Sequence, residues 1–408
     1  MTAMAERDLL AGITVLEYAT MVAGPYCGKL LAELGARVIK VEGPGGGDPA
    51  RRRGPFPEDL PDDELSGLFL YLNTSKQGVT LNLETATGRD LFRRLAASAD
   101  VLVEDATPGV MAAIGLDHDA LCSLNPRLVY TSVTPFGQTG PYSQYRAYPM
   151  NLFHAGGEGY TLPGSLSNEL FPGREPVQGG TYLAEYDGGL HAAIATVAAL
   201  IARNLTGSGQ HVDVSKQEAA MMLNLLNIQL FANTGELVTR RRSYHFGGIF
   251  PCKDGYVILY PREDRHWQGL TAAMGRPELG TEERFRTWED RYRHRDEVNA
   301  VLREWVAAHT KEEVFQTAAP SGCPAAYFAT TEDVFHSPQF AARDFFEEIE
   351  HPSAGRLAYP SRPYGFSEAP RSQQGPAPLL GQHNREVYCG LLGLAPGELA
   401  ELHRAGVV

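Results

Sequence analysis

From the N-terminus to about residue 136, two hydrophobic periods alternate along the chain. "GITVLEYA" (12–19), "RVIKVE" (37–42), "GVTLNL" (78–83), "DVLVED" (100–105) and "RLVYTSVTPF" (127–136) are short apolar, β-rich runs, and they predict buried strands. Between them lie "GPYCGKLLAELGA" (24–36), "TATGRDLFRRLAASA" (85–99), "PGVMAAIGL" (108–116) and "HDALCSLN" (118–125), whose apolar residues fall at helical spacing. Strands that alternate with helices predict an α/β domain around a mainly parallel sheet. One long connection interrupts the pattern: residues 43–64 are rich in Gly, Pro and charge.

The pattern changes near residue 216. Residues 216–237 read as one long helix, and "FPCKDGYVILYP" (250–261) reads as a hairpin turning at Lys253-Asp254-Gly255. Residues 275–317 are charged and helical. The stretch 323–350 starts near a turn and ends in a predicted helix. Pro-rich turns follow it, and "GELAELHRAGVV" forms a closing helix. The implied layout is a large domain over 1–215, a linker helix over 216–239, a small domain over 240–330, and a return to the large domain over 331–408.

Composition sets broad limits. The 408 residues are 43% hydrophobic and 21% charged, as in an ordinary globular chain. The net charge of −13 disfavours nucleic acid as a partner. No apolar run approaches the roughly 20 residues of a membrane span, so no membrane partner is expected. The five cysteines lack metal-ligand spacing, which points to reduced thiols and a cytoplasmic location.

Several motifs carry little. "GPGGG" (43–47) matches neither phosphate-loop pattern and reads as a flexible loop. The "RRR" runs at 51–53 and 240–242 read first as solvated charge. The pairs His154/His191 and His245/His266 lack zinc spacing, so no metal site is expected. There is no G-x-S-x-G elbow. The stretch "TYLAEYDGGLHAAIATVAALIAR" (181–203) holds more: Glu185 and Asp187 sit where a loop becomes a helix of small residues. A carboxylate there can be a nucleophile, but spacing alone favours helix capping, with Asp187 the better cap. Gly188, Gly189, Ala192, Ala193 and Ala195 leave room for another backbone or a ligand.

Six blocks in order carry a resemblance. They are "GITVLEYATMVAGPYCGKLLAELGARVIKVE", "LFLYLNTSKQGVTLNL", "ADVLVEDATPGVMAAIGL", "LNPRLVYTSVTPFGQTGPY", "TGSGQHVDVSKQEA" and "APLLGQHNREVYCGLLGL". Together they resemble the family III CoA-transferases, the CaiB/BaiF group that includes formyl-CoA transferase, carnitine CoA-transferase and α-methylacyl-CoA racemase. The resemblance implies a Rossmann-like large domain built from both chain ends and a smaller α+β domain. It also implies a ring-shaped chain interlocked in a homodimer. CoA and acyl-CoA would be substrates beside a carboxylic acid, with no permanently bound cofactor. The family's nucleophile is an Asp, ten positions into a segment that begins with Pro and shortly before G-x-H. Counting from Pro176, with "GLH" at 189–191 in register, puts Glu185 at that position.

The same resemblance places Val22 and Ala23 on the first active-site loop, Leu81 near the adenine, and Arg146 and Tyr148 by the CoA phosphates. Asp105 and Ala106 replace an Asn-Phe pair. Gly43 and Ala113 stand where formyl-CoA transferase has Arg, leaving Arg51, Arg52 or Arg53 to supply the charge. Gly247 and Gly248 are nearest to the family's Gly-rich active-site loop. Tyr148 occupies the position of the racemase branch's His, which disfavours two-base racemisation. Two alternatives to CoA transfer remain: a non-catalytic subunit of a heteromeric transferase, and a repurposed racemase- or dehydratase-like enzyme.

Overall fold

The computed structural model describes residues 8–164, 171, 173–180, 182–240, 246–369 and 374–408. Arg241, Arg242 and His245, named in the motif reading above, lie outside them. The chain divides into two compact units. The first comprises Met1–Glu158, Gln178–Leu225 and Ala342–Val408; the second comprises Gly159–Val177 and Leu226–Ala341.

The first unit is built on a six-stranded sheet. Its strands are β1 (Thr14–Tyr18), β2 (Arg37–Glu42), β3 (Lys76–Thr80), β4 (Val101–Glu104), β5 (Val129–Thr134) and β6 (His211–Ser215). Their order is β3-β2-β1-β4-β5-β6, and every pairing is parallel. Successive side chains of a strand point to opposite faces. Leu16, Ile39, Leu102 and Tyr130 therefore pack one core with helix Ala86–Ser98 and with Val387, Tyr388, Val407 and Val408 of the C-terminal segment. Val15, Val38, Val101 and Val129 pack the other, with helices Ala23–Glu33 and Leu183–Thr206. Burial on both faces is why these strands read as mainly apolar runs, with Glu17 and Lys40 among the buried exceptions. The C-terminal segment is tied in by Tyr388, whose hydroxyl donates to Thr80 O at 2.7 Å, and by Asn82 N donating to Val407 O at 2.8 Å.

The loop 43–64 is pinned by buried charge, and here the reading of "RRR" at 51–53 as a solvated run is corrected at its first residue, while Arg52 and Arg53 are exposed as that reading has them. Arg51 is fully buried, pairing with Glu42 at 2.8 Å and Glu64 at 2.7 Å. Lys40 bridges Glu17 at 3.0 Å and Asp48 at 2.9 Å, and Lys76 reaches Glu17 at 2.8 Å. Burial alone would lower the Lys40 value; Asp48, Glu17 and Glu42 outweigh it and hold the ammonium well above its ordinary range. Asp48 Oδ1 also accepts from Met21 N and Ala50 N at 2.9 and 2.8 Å, so the same network fixes the turn after β1.

In the second unit β7 (Gly248–Cys252), β8 (Gly255–Leu259) and β9 (Ala325–Tyr327) form an antiparallel sheet in that order. Trp267, Phe285, Val298, Leu302 and Val306 fill its core.

Two further expectations are corrected. The predicted helix over 216–237 is broken: Lys216–Met221 is α-helical, Met222–Asn224 tightens to a 3₁₀ turn, and Leu225–Thr234 continues. The stretch to residue 350 ends in a strand, not a helix: β10 (Phe346–His351) pairs antiparallel with β11 (Gly355–Pro360). Helix Leu183–Thr206 is long and apolar enough to cross a bilayer by length and composition, where the sequence showed no such run. In the fold, Ala184, Gly188, Ala192, Thr196 and Ala199 along it are buried in the first unit's interior.

Candidate active site

In a parallel sheet with helices on both faces, ligands bind beyond the carboxyl ends of the strands, where the strand order reverses. Here that point lies between β1 and β4. A cavity of about 690 Å³ opens there. Thr20, Met21 and Val22 line it after β1, Asp105 and Thr107 after β4, Pro135 after β5, and Lys216 after β6. Pro49 and Arg53 of the pinned loop line it too. Tyr145, Arg146 and Tyr148 come from the segment after β5, and Tyr182 and Glu185 from the start of the long helix.

The long helix begins at Leu183, with Tyr182 as N-cap and no side-chain capping bond. The expectation that Asp187 caps it is thereby corrected: Asp187 is four residues inside. Glu185 lies in the first turn, where the unpaired N–H groups and the helix dipole favour negative charge. The small-residue expectation is met. A Cβ on Gly189 would stand 2.5 Å from Ala23 O, so the first helix crosses this one at backbone contact. A Cβ on Gly188 would meet Lys216 Cγ at 2.7 Å.

Glu185 is 7% exposed, and Lys216 Nζ donates to both its oxygens, at 3.0 Å to Oε1 and 2.9 Å to Oε2. Lys216 was not singled out in the sequence. A lysine at the first position of a helix normally projects into water, and only the fold brings it 31 residues back to Glu185. The signal that exists is a local conflict: a cation at the end of a helix that favours anions.

Asp105 is half-buried, and its Oδ2 accepts from Thr20 N at 2.9 Å. Burial pushes its carboxyl up to about 7, opposed by the Thr20 hydrogen bond and by Lys216. Asp187 does not line the cavity. Its carboxyl is also raised by burial, with His191 opposing, and its buried Oδ2 has no hydrogen-bond partner.

Of the other sequence-predicted positions, Val22, Arg146 and Tyr148 line the cavity. Ala23 is buried directly behind Val22 as the first residue of its helix. Leu81 is 1% exposed inside the apolar core of the sheet and is not on the cavity wall. Among the three arginines of 51–53, Arg51 is held in the buried network and Arg52 donates to Gly46 O at 2.5 Å, which leaves Arg53 on the cavity wall. Gly247 and Gly248 belong to the second unit. Gly247 has φ +73°, and a Cβ there would meet Leu259 O at 2.6 Å, so the hairpin itself demands glycine; Gly248 opens β7. Among the described residues no group of three or more His, Cys, Asp or Glu is placed to hold a metal.

Residues 10–384 match the model of "CoA-transferase family III". The chain is 32% identical over 409 residues to succinyl-CoA–D-citramalate CoA-transferase of Chloroflexus aurantiacus, covering 98% of each protein. It is 34% identical over 407 residues to the succinyl-CoA–L-malate CoA-transferase beta subunit of the same organism, again over 98% of each. A solved structure of a CaiB/BaiF family protein from Brucella suis matches with a TM-score of 0.80 at 32% identity, covering 93% of this chain and 98% of that one.

Proposed function

This chain belongs to CoA-transferase family III and is a CoA-transferase, and we propose that it moves CoA from an acyl-CoA thioester to a dicarboxylic acid through covalent intermediates on Glu185. The observation that carries this is a buried carboxylate on the wall of a cavity at the sheet's switch point.

A Glu185 oxygen attacks the thioester carbonyl; a C–O bond forms, the C–S bond breaks, and the electron pair leaves on sulfur as CoA thiolate. The thiolate attacks the Glu185 carbonyl of the resulting mixed anhydride, releasing the donor acid as carboxylate and leaving a Glu185–CoA thioester. The acceptor carboxylate attacks that thioester, thiolate departs again, and it attacks the acceptor carbonyl of the second anhydride. Acceptor-CoA leaves and the Glu185 carboxylate is restored. Covalent catalysis of this kind splits one hard exchange into easier steps.

Two features support a dicarboxylic acceptor. The two relatives named above act, by their names, on citramalate and malate. The cavity carries Arg53 and Arg146 in addition to Lys216. Arg146 suits a CoA phosphate, and Arg53 suits the acceptor's second carboxylate, since a guanidinium matches a carboxylate two bonds at a time. A panel of acids offered with succinyl-CoA, read by mass spectrometry of the product esters, tests this. Four- and five-carbon diacids are expected to outpace monoacids of equal length by at least tenfold in kcat/KM, and Arg53→Ala is expected to erase most of that preference. Equal rates for mono- and diacids would overturn the assignment.

The finer architecture is proposed on the same basis. The strand order β3-β2-β1-β4-β5-β6 supports a Rossmann-like large domain. Leu190, Ile194, Ile201 and Leu205 are 42–85% exposed along one stripe of the long helix, and this apolar surface supports a dimer with a second copy of the chain, interlocked as in the family.

A further inference from the structure

Lys216 stands where two local rules oppose it. It is the first residue of helix Lys216–Met221, next to the cap Ser215, at the end of a helix dipole that repels cations. It is also 9% exposed, and a buried ammonium is costly without a partner. Both penalties are offset by one group, the Glu185 carboxylate at 2.9 and 3.0 Å. The stem of Lys216 crosses the long helix at Gly188, one turn beyond Glu185, where any side chain would collide with Cγ. Sequence choices on both helices thus converge on keeping this ammonium against this carboxylate, and violations of local preference cluster at functional sites.

The consequence follows from charge. At rest, Glu185 and Lys216 cancel. When Glu185 attacks a thioester it becomes a neutral anhydride, and the negative charge moves to the departing sulfur. Lys216 then loses its partner at the moment a thiolate forms beside it. When the thiolate attacks the Glu185 carbonyl, the charge moves again, to the leaving carboxylate of the donor acid. In each step one negative charge relocates within the cavity, and Lys216, the cation already bonded to Glu185, stays next to the atoms between which it moves.

We propose that Lys216 is a catalytic residue: the resident counter-ion that holds the Glu185 carboxylate at rest, then stabilises the CoA thiolate, and then the departing carboxylate. This rests on Glu185 as nucleophile, so the test separates the two. Wild-type enzyme is incubated with acyl-CoA and hydroxylamine, and peptide mass spectrometry reads whether Glu185 becomes a hydroxamate. In parallel, kcat and KM are measured for Lys216→Met and Lys216→Arg. Labelled Glu185 is expected in the wild type. In Lys216→Met, kcat is expected to fall roughly 10²- to 10³-fold, the usual effect of removing one preorganised electrostatic partner, with KM for acyl-CoA within about threefold. Lys216→Arg keeps a cation and is expected to recover at least tenfold of that loss; it also serves if Lys216→Met does not fold.

A labelled wild type with Lys216→Met within about threefold of its kcat, or with a loss confined to KM, would overturn the counter-ion role alone. So would Lys216→Arg that folds and is as slow as Lys216→Met. If Glu185 stays unlabelled during turnover, the nucleophile assignment and this proposal both fail.

Discussion

Glu185 and Asp187 are two positions apart on one helix, and residues so spaced do not share a face. The cavity takes Glu185 and leaves Asp187 beside the His191 side of the helix. Glu185→Gln is therefore expected to lower kcat by about 10³-fold or more, as loss of a covalent nucleophile does, while Asp187→Asn stays within a few-fold. Steady-state kinetics on both variants checks this. Glu185→Asp is the subtler case. Shortening the chain by one methylene withdraws the carboxylate by about one C–C bond from a lysine placed for the longer chain, and misplacement on this scale costs roughly 10²-fold. Asp105 gives a pH prediction. Burial raises its carboxyl to about 7, above the ordinary value near 4. The folded state then holds a proton that the unfolded state has lost, so this group's contribution to stability falls as pH rises from about 4 to about 7. Asp105→Asn removes the dependence. Urea unfolding is expected to show the variant gaining on the wild type by about 1–3 kcal/mol between pH 5 and pH 8.

At the scale of elements, the two glycines of the long helix separate packing from chemistry. Alanine at Gly189 meets a backbone carbonyl of the first helix, which cannot move alone; alanine at Gly188 meets the stem of Lys216, which can swing. Gly189→Ala is expected to cost about 1–3 kcal/mol in urea unfolding despite alanine's better helix propensity. Gly188→Ala is expected to cost stability as well, by loosening the buried Lys216–Glu185 pair, and in addition to lower kcat at least tenfold, which Gly189→Ala does not do. An unchanged kcat in Gly188→Ala would mean that Gly188 serves packing alone. Elements also show where the sequence was legible. Strands β1 to β5 announced themselves because burial on both faces keeps them mainly apolar, with Glu17 and Lys40 among the buried exceptions; β6, exposed at its start with "HVDVS", does not read as a strand. β10 did not: "FEEIEH" is half-exposed, with Ile349 and His351 buried, Glu348 and Glu350 outward, and Glu347 half-buried and accepting from Gln374, and with flanking helical residues it mimics a charged helix. The break at Met222–Asn224 carries neither Gly nor Pro, so nothing local marks it.

For the whole molecule, the sequence reached the α/β class, and through resemblance to a family rather than through spacing it singled out Glu185, which the fold places on the cavity wall. It could not reach the Lys216–Glu185 pair, the burial of Arg51 or the selection of Arg53, because each depends on which strand ends meet at the switch point. The exposed apolar stripe of the long helix carries a prediction at this scale. Paired Ile194→Arg and Ile201→Arg substitutions place charge where a second copy is expected to pack. Light scattering is expected to show a dimer for the wild type and a shift towards monomer for the variant. An unchanged mass would remove this helix from the interface.

The most direct test of the central claim is the chemical identity of the covalent intermediate. Wild-type protein mixed with acyl-CoA and quenched with hydroxylamine during turnover should carry a hydroxamate at Glu185 in peptide mass spectrometry, and Glu185→Gln should carry none and turn over at least about 10³-fold more slowly. Adducts at Asp187 or elsewhere, or turnover near the wild-type rate in Glu185→Gln, would contradict the account.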